Sequence, residues 1–457
     1  VIVGPLDRRR WDAATVGAVA LALRLGVVAW AASRFPAVED GRYYDVLARR
    51  IAAGAGYTWA WPDGAVTFVA HYPVGYPALL AGAYALLGAS AGSAMIVNAV
   101  VGAAGAVAVY RLVDGPGVAR WRPLAAGLAV AVHPALLPYT AAVMTEGVVA
   151  SLVAVAAALA ARARAGGAPW IAASGVVLGL AVLVRPQSLL LAPVLGWLAA
   201  PAGFRARARA GRAVALTAVA LACVAPWTVR NCARMGRCAL VSVNGGTNLL
   251  IGVTSDTWKP VPVPPECATV WDEAAKDVCF GRAARHEIAR APGAWLARLP
   301  AKIGATLDYF GAAPWYLHAS NPQAFGDRAK VALGAVETLT CRLLLLAALV
   351  VCGRMDGPRA TARKVVALLG AIGAVSLHGW VGYLGVVASV ALAGRRAWSE
   401  RPMVVPCSAV IVAATAVVHG AFFGAGRYGL AVVPFVTGLA FVPWRPATER
   451  VLARSRG

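Results

Sequence analysis

The sequence predicts an all-α polytopic membrane protein of about twelve transmembrane helices, on three observations. Of the 457 residues 60% are hydrophobic and only 14% charged, against roughly 25% charged residues in soluble domains. The mean hydropathy is +0.68. Apolar runs recur along the whole chain and alternate with arginine-rich turns. This composition excludes a soluble enzyme. The net charge of +23, from 43 Lys and Arg against 20 Asp and Glu, would suggest nucleic-acid binding in a soluble protein. In a polytopic membrane protein it reads as cationic loops that hold orientation on the cytoplasmic side, and no nucleic-acid partner is expected.

The elements follow in order. Arg8, Arg9 and Arg10 precede an apolar stretch from about Ala13 to Ala32 with no small-residue cleavage site after it, which predicts a signal anchor with its N-terminus inside. A long first outer segment, 33–93, comes next. Within it Tyr44, Leu47, Ala48 and Ile51 recur at helical spacing, closed by Gly54 and Gly56, and predict a short amphipathic helix. Gly75 to Leu87 is apolar but too short to cross, so it is expected to be interfacial or re-entrant. Spans are predicted at about 94–110, 123–141, 147–161, 168–184, 187–200 and 213–229, with Arg111, Arg120, Arg122, Arg162, Arg164, Arg205, Arg207, Arg209 and Arg212 in the cytoplasmic turns. This N-terminal transmembrane module, 1–229, contains the first outer loop. From 230 to 329 the chain turns polar and is expected to form a folded periplasmic loop or small domain. The remainder, 330–457, holds spans at about 331–352, 364–377, 379–394, 403–421 and 428–443 and a basic tail. Both termini then lie in the cytoplasm of a bacterial cell, and the chain in its inner membrane. The two crossings between 364 and 394 are the shortest.

Four of the eight cysteines fall in the polar segment. Cys232 and Cys238 bracket one short loop, Cys267 and Cys279 another. Two short-loop disulfides in an oxidising compartment are the economical reading, four free thiols the alternative. A metal site is not expected from these residues, since no CxxC occurs and the six histidines are scattered. Cys223, Cys341, Cys352 and Cys407 lie in or beside apolar runs and read as inert.

Six constellations could carry chemistry, five of them on one side of the membrane. Glu39 and Asp40 stand at the entrance of the amphipathic helix, where Asp40 is either an N-cap or a shielded general base. Glu146 opens the fourth span, where an acid favours the helix dipole or shares a polar substrate with Glu39 and Asp40; Thr145 is the candidate cap. His71 and Tyr72 introduce the 75–87 helix, as interface residues or as phosphate contacts. Arg185 ends a span in LVRP, either snorkelling or gripping a phosphate with a bidentate fork. Asn244, Gly245 and Gly246 predict a tight turn with Asn248 just beyond. Arg427 and Tyr428 start the last span.

APWTVRN followed by VSVNGGTNLLIG, HYPVGYPALLAG after an acidic first loop, Glu146, LVRP and GRYGLAVVPF together resemble the GT-C membrane glycosyltransferases. The group is glycosyltransferase family 39 with its bacterial relatives, the protein O-mannosyltransferases and lipid A aminoarabinose transferases. The resemblance runs from about residue 20 to 445 and implies a GT-C-like helix bundle. It also implies an enzyme that takes a sugar from a polyprenyl-phosphate carrier and places it on a lipid, glycan or protein acceptor at the outer face, with inversion. The family's first-loop catalytic base matches Glu39 or Asp40, with Asp40 preferred, and its second acid matches Glu146. Substrate binding would fall to Tyr43, Tyr44, His71, Tyr72, Arg185, Asn244, Asn248, Arg427 and Tyr428. Where family members have Lys-Pro or Arg-Pro, this chain has Tyr72-Pro73, which leaves His71, Arg185 or Arg427 to hold the phosphate. Members differ in their use of a divalent metal, and no ligand set stands out here. The rival readings are a polyprenyl-lipid flippase or transporter, which should carry midplane charges or interrupted helices in paired halves, and a scaffold without activity. No internal repeat supports the transporter.

Overall fold

The computed structural model describes residues 5–443, so the basic tail expected beyond Pro443 lies outside the described residues. Among the described residues the regular structure is helical apart from one short hairpin and an isolated bridge between Thr257 and Gly424. Helix α1 (Pro5–Ala31) is followed by α2 (Asp40–Ala52), the hairpin β1 (Thr58–Ala60) and β2 (Val66–Phe68), and α3 (Gly75–Leu87). The amphipathic reading of α2 holds, since Tyr44, Leu47 and Ala48 are its buried face, and α3 covers the thirteen residues expected to be too short to cross. The hairpin was not anticipated. Its β-forming Thr-Trp and Val-Thr-Phe segments flank a Pro-Asp-Gly turn in which Gly64 takes φ 87, and it pairs antiparallel with Trp59 opposite Thr67.

The bundle continues with α4 (Ala91–Val113), α5 (Trp121–Ala131), α6 (Glu146–Gly166), α7 (Ala168–Val184), α8 (Leu191–Leu198) and α9 (Ala206–Arg234). It resumes with α10 (Gly245–Thr254), α11 (Glu273–Arg290), α12 (Pro292–Ala297), α13 (Leu299–Leu307) and α14 (Ala312–Ser320). The last elements are α15 (Asp327–Arg354), α16 (Ala360–Val375), α17 (Trp380–Leu392), α18 (Arg395–Ser399), α19 (Val404–Ala421) and α20 (Val433–Ala440). Among the described residues six helices, α1, α4, α6, α9, α15 and α19, are long and apolar enough to cross a membrane. The other expected spans are shorter. Several are broken by 3-10 turns: Pro138 opens one before α6 and Pro186 another before α8, and a proline-free turn at Gly426–Val432 precedes α20. The expected crossings between 364 and 394 are two separate helices, α16 and α17, whose backbones nearly touch at Gly370 and Gly385.

Small side chains set the spacing of the bundle. A Cβ on Gly179 of α7 would stand 2.6 Å from the Cβ of Cys223 in α9, so this pair can approach only because the side chain is absent. In the polar segment, Leu250, Cys267, Cys279, Phe280 and Ala284 form a small core between α10 and α11. The Cys267–Cys279 disulfide lies in that core, and Cys232–Cys238 closes the end of α9. The segment does not stand wholly apart: α14 returns to the bundle, where the Tyr316 hydroxyl accepts the Val143 amide at 3.1 Å. Thiol labelling of the unreduced, folded protein is expected to modify none of Cys232, Cys238, Cys267 and Cys279; reaction at all four would contradict both bridges.

Candidate active site

Asp40 owes its position to a turn. The Gly41 amide bonds to the Val38 carbonyl at 2.9 Å, and Glu39 takes φ 51 and ψ −132. This is type II′ geometry, whose first central position favours glycine. Glu39 occupies the cap position of α2 without a side-chain cap bond, so the capping role considered for Asp40 is not realised. The turn faces Glu39 to solvent, where it does not line the cavity described below, and directs Asp40 inward. Gly41 is required by close approach, since a Cβ there would lie 2.5 Å from the Val143 carbonyl oxygen.

Around Asp40 a chain of charge pairs runs into the bundle. Tyr72 Oη donates to Asp40 Oδ1 at 3.0 Å, and Arg427 Nη2 lies 2.9 Å from Asp40 Oδ2. The same guanidinium places Nε 3.4 Å from Glu146 Oε1. Glu146, only 2% exposed, also accepts from Tyr139 Oη at 2.8 Å and from Arg185 Nη2. Arg185 Nε donates to Thr145 Oγ1 at 3.0 Å, so Thr145 serves the arginine and makes no cap bond to the helix. Pro186 ends α7 at Arg185 by forcing it to an extended φ of −145. Arg185 does not snorkel to water, because its guanidinium lies over the Tyr428 ring at 4.8 Å. Tyr428 in turn stacks on His419 at 4.5 Å and 15°. Arg185 and Arg427, expected from the sequence to hold a phosphate, are thus paired directly to the acids.

The cluster, apart from Glu146 and Tyr139, borders a cavity of about 750 Å³, lined among others by Asp40, Tyr44, His71, Tyr72, Arg185, Asn244, Asn248, Arg427 and Tyr428; Glu146 lines a narrower cleft beside it. Burial holds the His71 imidazole below its ordinary 6.5, so at pH 7 it is neutral and adds no fixed charge for a phosphate. Burial and then the Asp40 charge raise the Tyr72 and Tyr44 phenols, which stay protonated. Tyr43 is 44% exposed and lies outside the lining, stacked between Tyr72 and Trp59 at 5.2 Å from each. The tight turn expected at Asn244–Gly246 is the start of α10. Gly246 is needed because α11 crosses there, with the Asp277 carbonyl oxygen where a Cβ would go.

Tyr139, Trp258 and His419 were missed. Trp258 and His419 line the cavity, and Tyr139 bonds to its acid; each is one aromatic or imidazole among many in the sequence, and only the fold brings it here. Among the described residues no three His, Cys, Asp or Glu side chains gather as a metal site. Asp40 and Glu146 are bridged by the Arg427 guanidinium, which holds the place a cation would need between two carboxylates, so the donor set does not fit a divalent metal.

Residues 71–229 match the family model described as dolichyl-phosphate-mannose-protein mannosyltransferase, which bears out the resemblance to GT-C glycosyltransferases. No curated protein matches the chain. Among solved structures, the Archaeoglobus fulgidus oligosaccharyltransferase in its apo form is 13% identical with a TM-score of 0.49, covering 97% of this chain and 52% of that one. The oligosaccharyltransferase AglB of Archaeoglobus fulgidus in complex with an inhibitory peptide and a dolichol-phosphate is 13% identical, with a TM-score of 0.47 over 95% of this chain and 50% of that one. ArnT from Cupriavidus metallidurans bound to undecaprenyl phosphate is 14% identical, with a TM-score of 0.39 over 97% and 79%. The chain spans about half the length of the archaeal structures it matches.

Two stability outcomes follow from the cluster. Glu146→Leu leaves the Arg185 guanidinium without a carboxylate, while Arg427 keeps Asp40, and should cost about 3–5 kcal/mol, read as a lowered midpoint of thermal unfolding in detergent. Glu39→Gly should leave the midpoint unchanged or raise it, because relief of roughly 1–3 kcal/mol of backbone strain offsets the added freedom of glycine in the unfolded chain.

Proposed function

We propose that the chain is a membrane glycosyltransferase that moves a sugar from a polyprenyl-phosphate carrier to a lipid, glycan or protein acceptor, with inversion, at the membrane face carrying the Asp40 cluster. The observation that carries this reading is the Asp40–Arg427–Glu146–Arg185 cluster bordering a 750 Å³ cavity where helices break at the membrane boundary. Glu146, His71 and Arg185 fall inside the family match, while Asp40 and Arg427 lie outside it.

The chemistry needs three things. The leaving phosphate needs positive charge fixed before reaction; Arg185 and Arg427 supply it, with N–H donors left over from their carboxylate contacts. The acceptor needs a base, and Asp40 is the less enclosed of the two acids, at 30% side-chain exposure against 2% for Glu146. It takes the proton as the acceptor attacks the anomeric carbon opposite the phosphate, so a single displacement inverts the centre without a covalent intermediate. Glu146, held by Tyr139 and two arginines, positions the cations. The prenyl tail has an apolar path beside the phosphate site, a narrow cleft lined by Val149, Val153, Leu191, Ile411, Ala414 and Val418 next to Arg185. Asn244, Asn248 and Trp258 of the polar segment line the same cavity, and we assign them to the acceptor.

Purified protein given a radiolabelled polyprenyl-phosphate sugar should lose at least a hundredfold in transfer as Asp40→Asn, within the range for a general base, and a comparable amount as Glu146→Gln. Unchanged transfer by both variants would remove this site, and carrier movement across vesicles without transfer would favour a flippase. Lipid extracts compared by mass spectrometry with and without the gene would name the sugar and acceptor.

A further inference from the structure

At the opposite end of the bundle lies a second cavity, of about 520 Å³, lined by Trp197, Phe204, Arg205, Arg209, Arg395 and Trp398 with small residues between them. Helix α6 runs from Glu146 in the candidate active site to Gly166, 21 residues, or about 31 Å at 1.5 Å per residue. That is close to the thickness of a bilayer core, so the two cavities sit at opposite membrane boundaries.

The walls are held in place by arginines that bond only to backbone carbonyls. Arg164 donates to Leu198 O at 2.9 Å, Arg401 O at 3.2 Å and Trp398 O at 3.3 Å, joining the α8–α9 turn to the region of α18. Arg209, 8% exposed, donates to Pro201 O and Phe204 O at 3.1 and 3.3 Å. Arg205 and Arg395 are exposed at the rim, and among the described residues no carboxylate lines the space. Orientation in the membrane requires arginines on this face but does not require three to border one concavity. Like charges brought together there repel and are relieved by an anion. Trp197 and Phe204, 40% and 38% exposed, are aromatic groups of the kind that settle at headgroup level. Gly203, exposed in the lining, has open space around it, since a Cβ there would meet nothing within 4 Å.

We propose that this cavity binds the phosphate headgroup of an anionic phospholipid of the leaflet opposite the active site, with Arg205 and Arg395 gripping the phosphate and Trp197, Phe204 and Trp398 seating the glycerol and upper acyl chains. Basic pockets between membrane helices recognise anionic lipids by this combination. The proposal is independent of the transfer reaction, because none of these residues borders the Asp40 cavity.

The test uses the full chain, delipidated in a neutral detergent, with thermal unfolding followed against phosphatidylglycerol micelles, phosphatidylcholine micelles and inorganic phosphate. Phosphatidylglycerol should raise the midpoint, phosphatidylcholine and phosphate should not, and R205Q/R395Q should weaken the phosphatidylglycerol response at least tenfold in concentration. Gly203→Trp, which fills the space without altering charge, should weaken it equally, and this variant decides the matter if the double variant does not fold. Equal responses to the two lipids, an equal response to inorganic phosphate alone, or a full phosphatidylglycerol response in a folded variant would each overturn the proposal.

Discussion

One guanidinium ties the structure together. Arg427 touches Asp40 at 2.9 Å and Glu146 at 3.4 Å, and these acids come from helices far apart in sequence, at the starts of α2 and α6. At a membrane boundary an unpaired carboxylate as buried as Glu146 is too costly to keep, so the segments carrying Asp40, Glu146, Arg185 and Arg427 must meet for any of them to be tolerated. The compensation is near neutral, two acids against two arginines. It leaves guanidinium N–H groups free for the proposed phosphate, and the pairing that stabilises the fold would preorganise that site.

The broken helices serve the same end. In hydrocarbon every backbone group needs a partner, and irregular backbone is tolerated only where protein or a cavity surrounds it. The breaks at Pro138, Pro186 and Gly426–Val432 all lie at the end of the bundle that holds the cluster. There they deliver Tyr139, Arg185 and Arg427 into one place. A span that ended in regular helix would carry these side chains along its axis and could not turn them toward a common point.

The positive charge divides by function. On the face of the candidate active site the clustered cations are few and held by carboxylates. On the other, Arg164, Arg209 and Arg212 bond to carbonyls at turns between helices, as Arg212 does to Ala163 and Ala199. There the excess fastens the ends of helices to one another as well as setting orientation.

Much of this was legible in the sequence, because its causes are local. Apolar run length fixes which segments can enter a membrane, the 3.6-residue period of Tyr44, Leu47 and Ala48 fixes the buried face of α2, and short spacing brings Cys232 to Cys238 and Cys267 to Cys279. Pro186 after Arg185 marks a helix end by sterics alone. What the sequence could not decide depends on contacts between distant segments. Asp40 is preferred over its neighbour Glu39 in the sequence, but it is a II′ turn that sends Glu39 to solvent and Asp40 to Tyr72 and Arg427. Asn244–Gly246 reads as a turn because the demand on Gly246 comes from α11, some thirty residues later. The run from Ala13 to Val442 thus states by itself that the chain enters a membrane and which residues are chemically able to act. Only tertiary packing, through desolvation that forbids an unpaired charge, chose which acid meets which arginine.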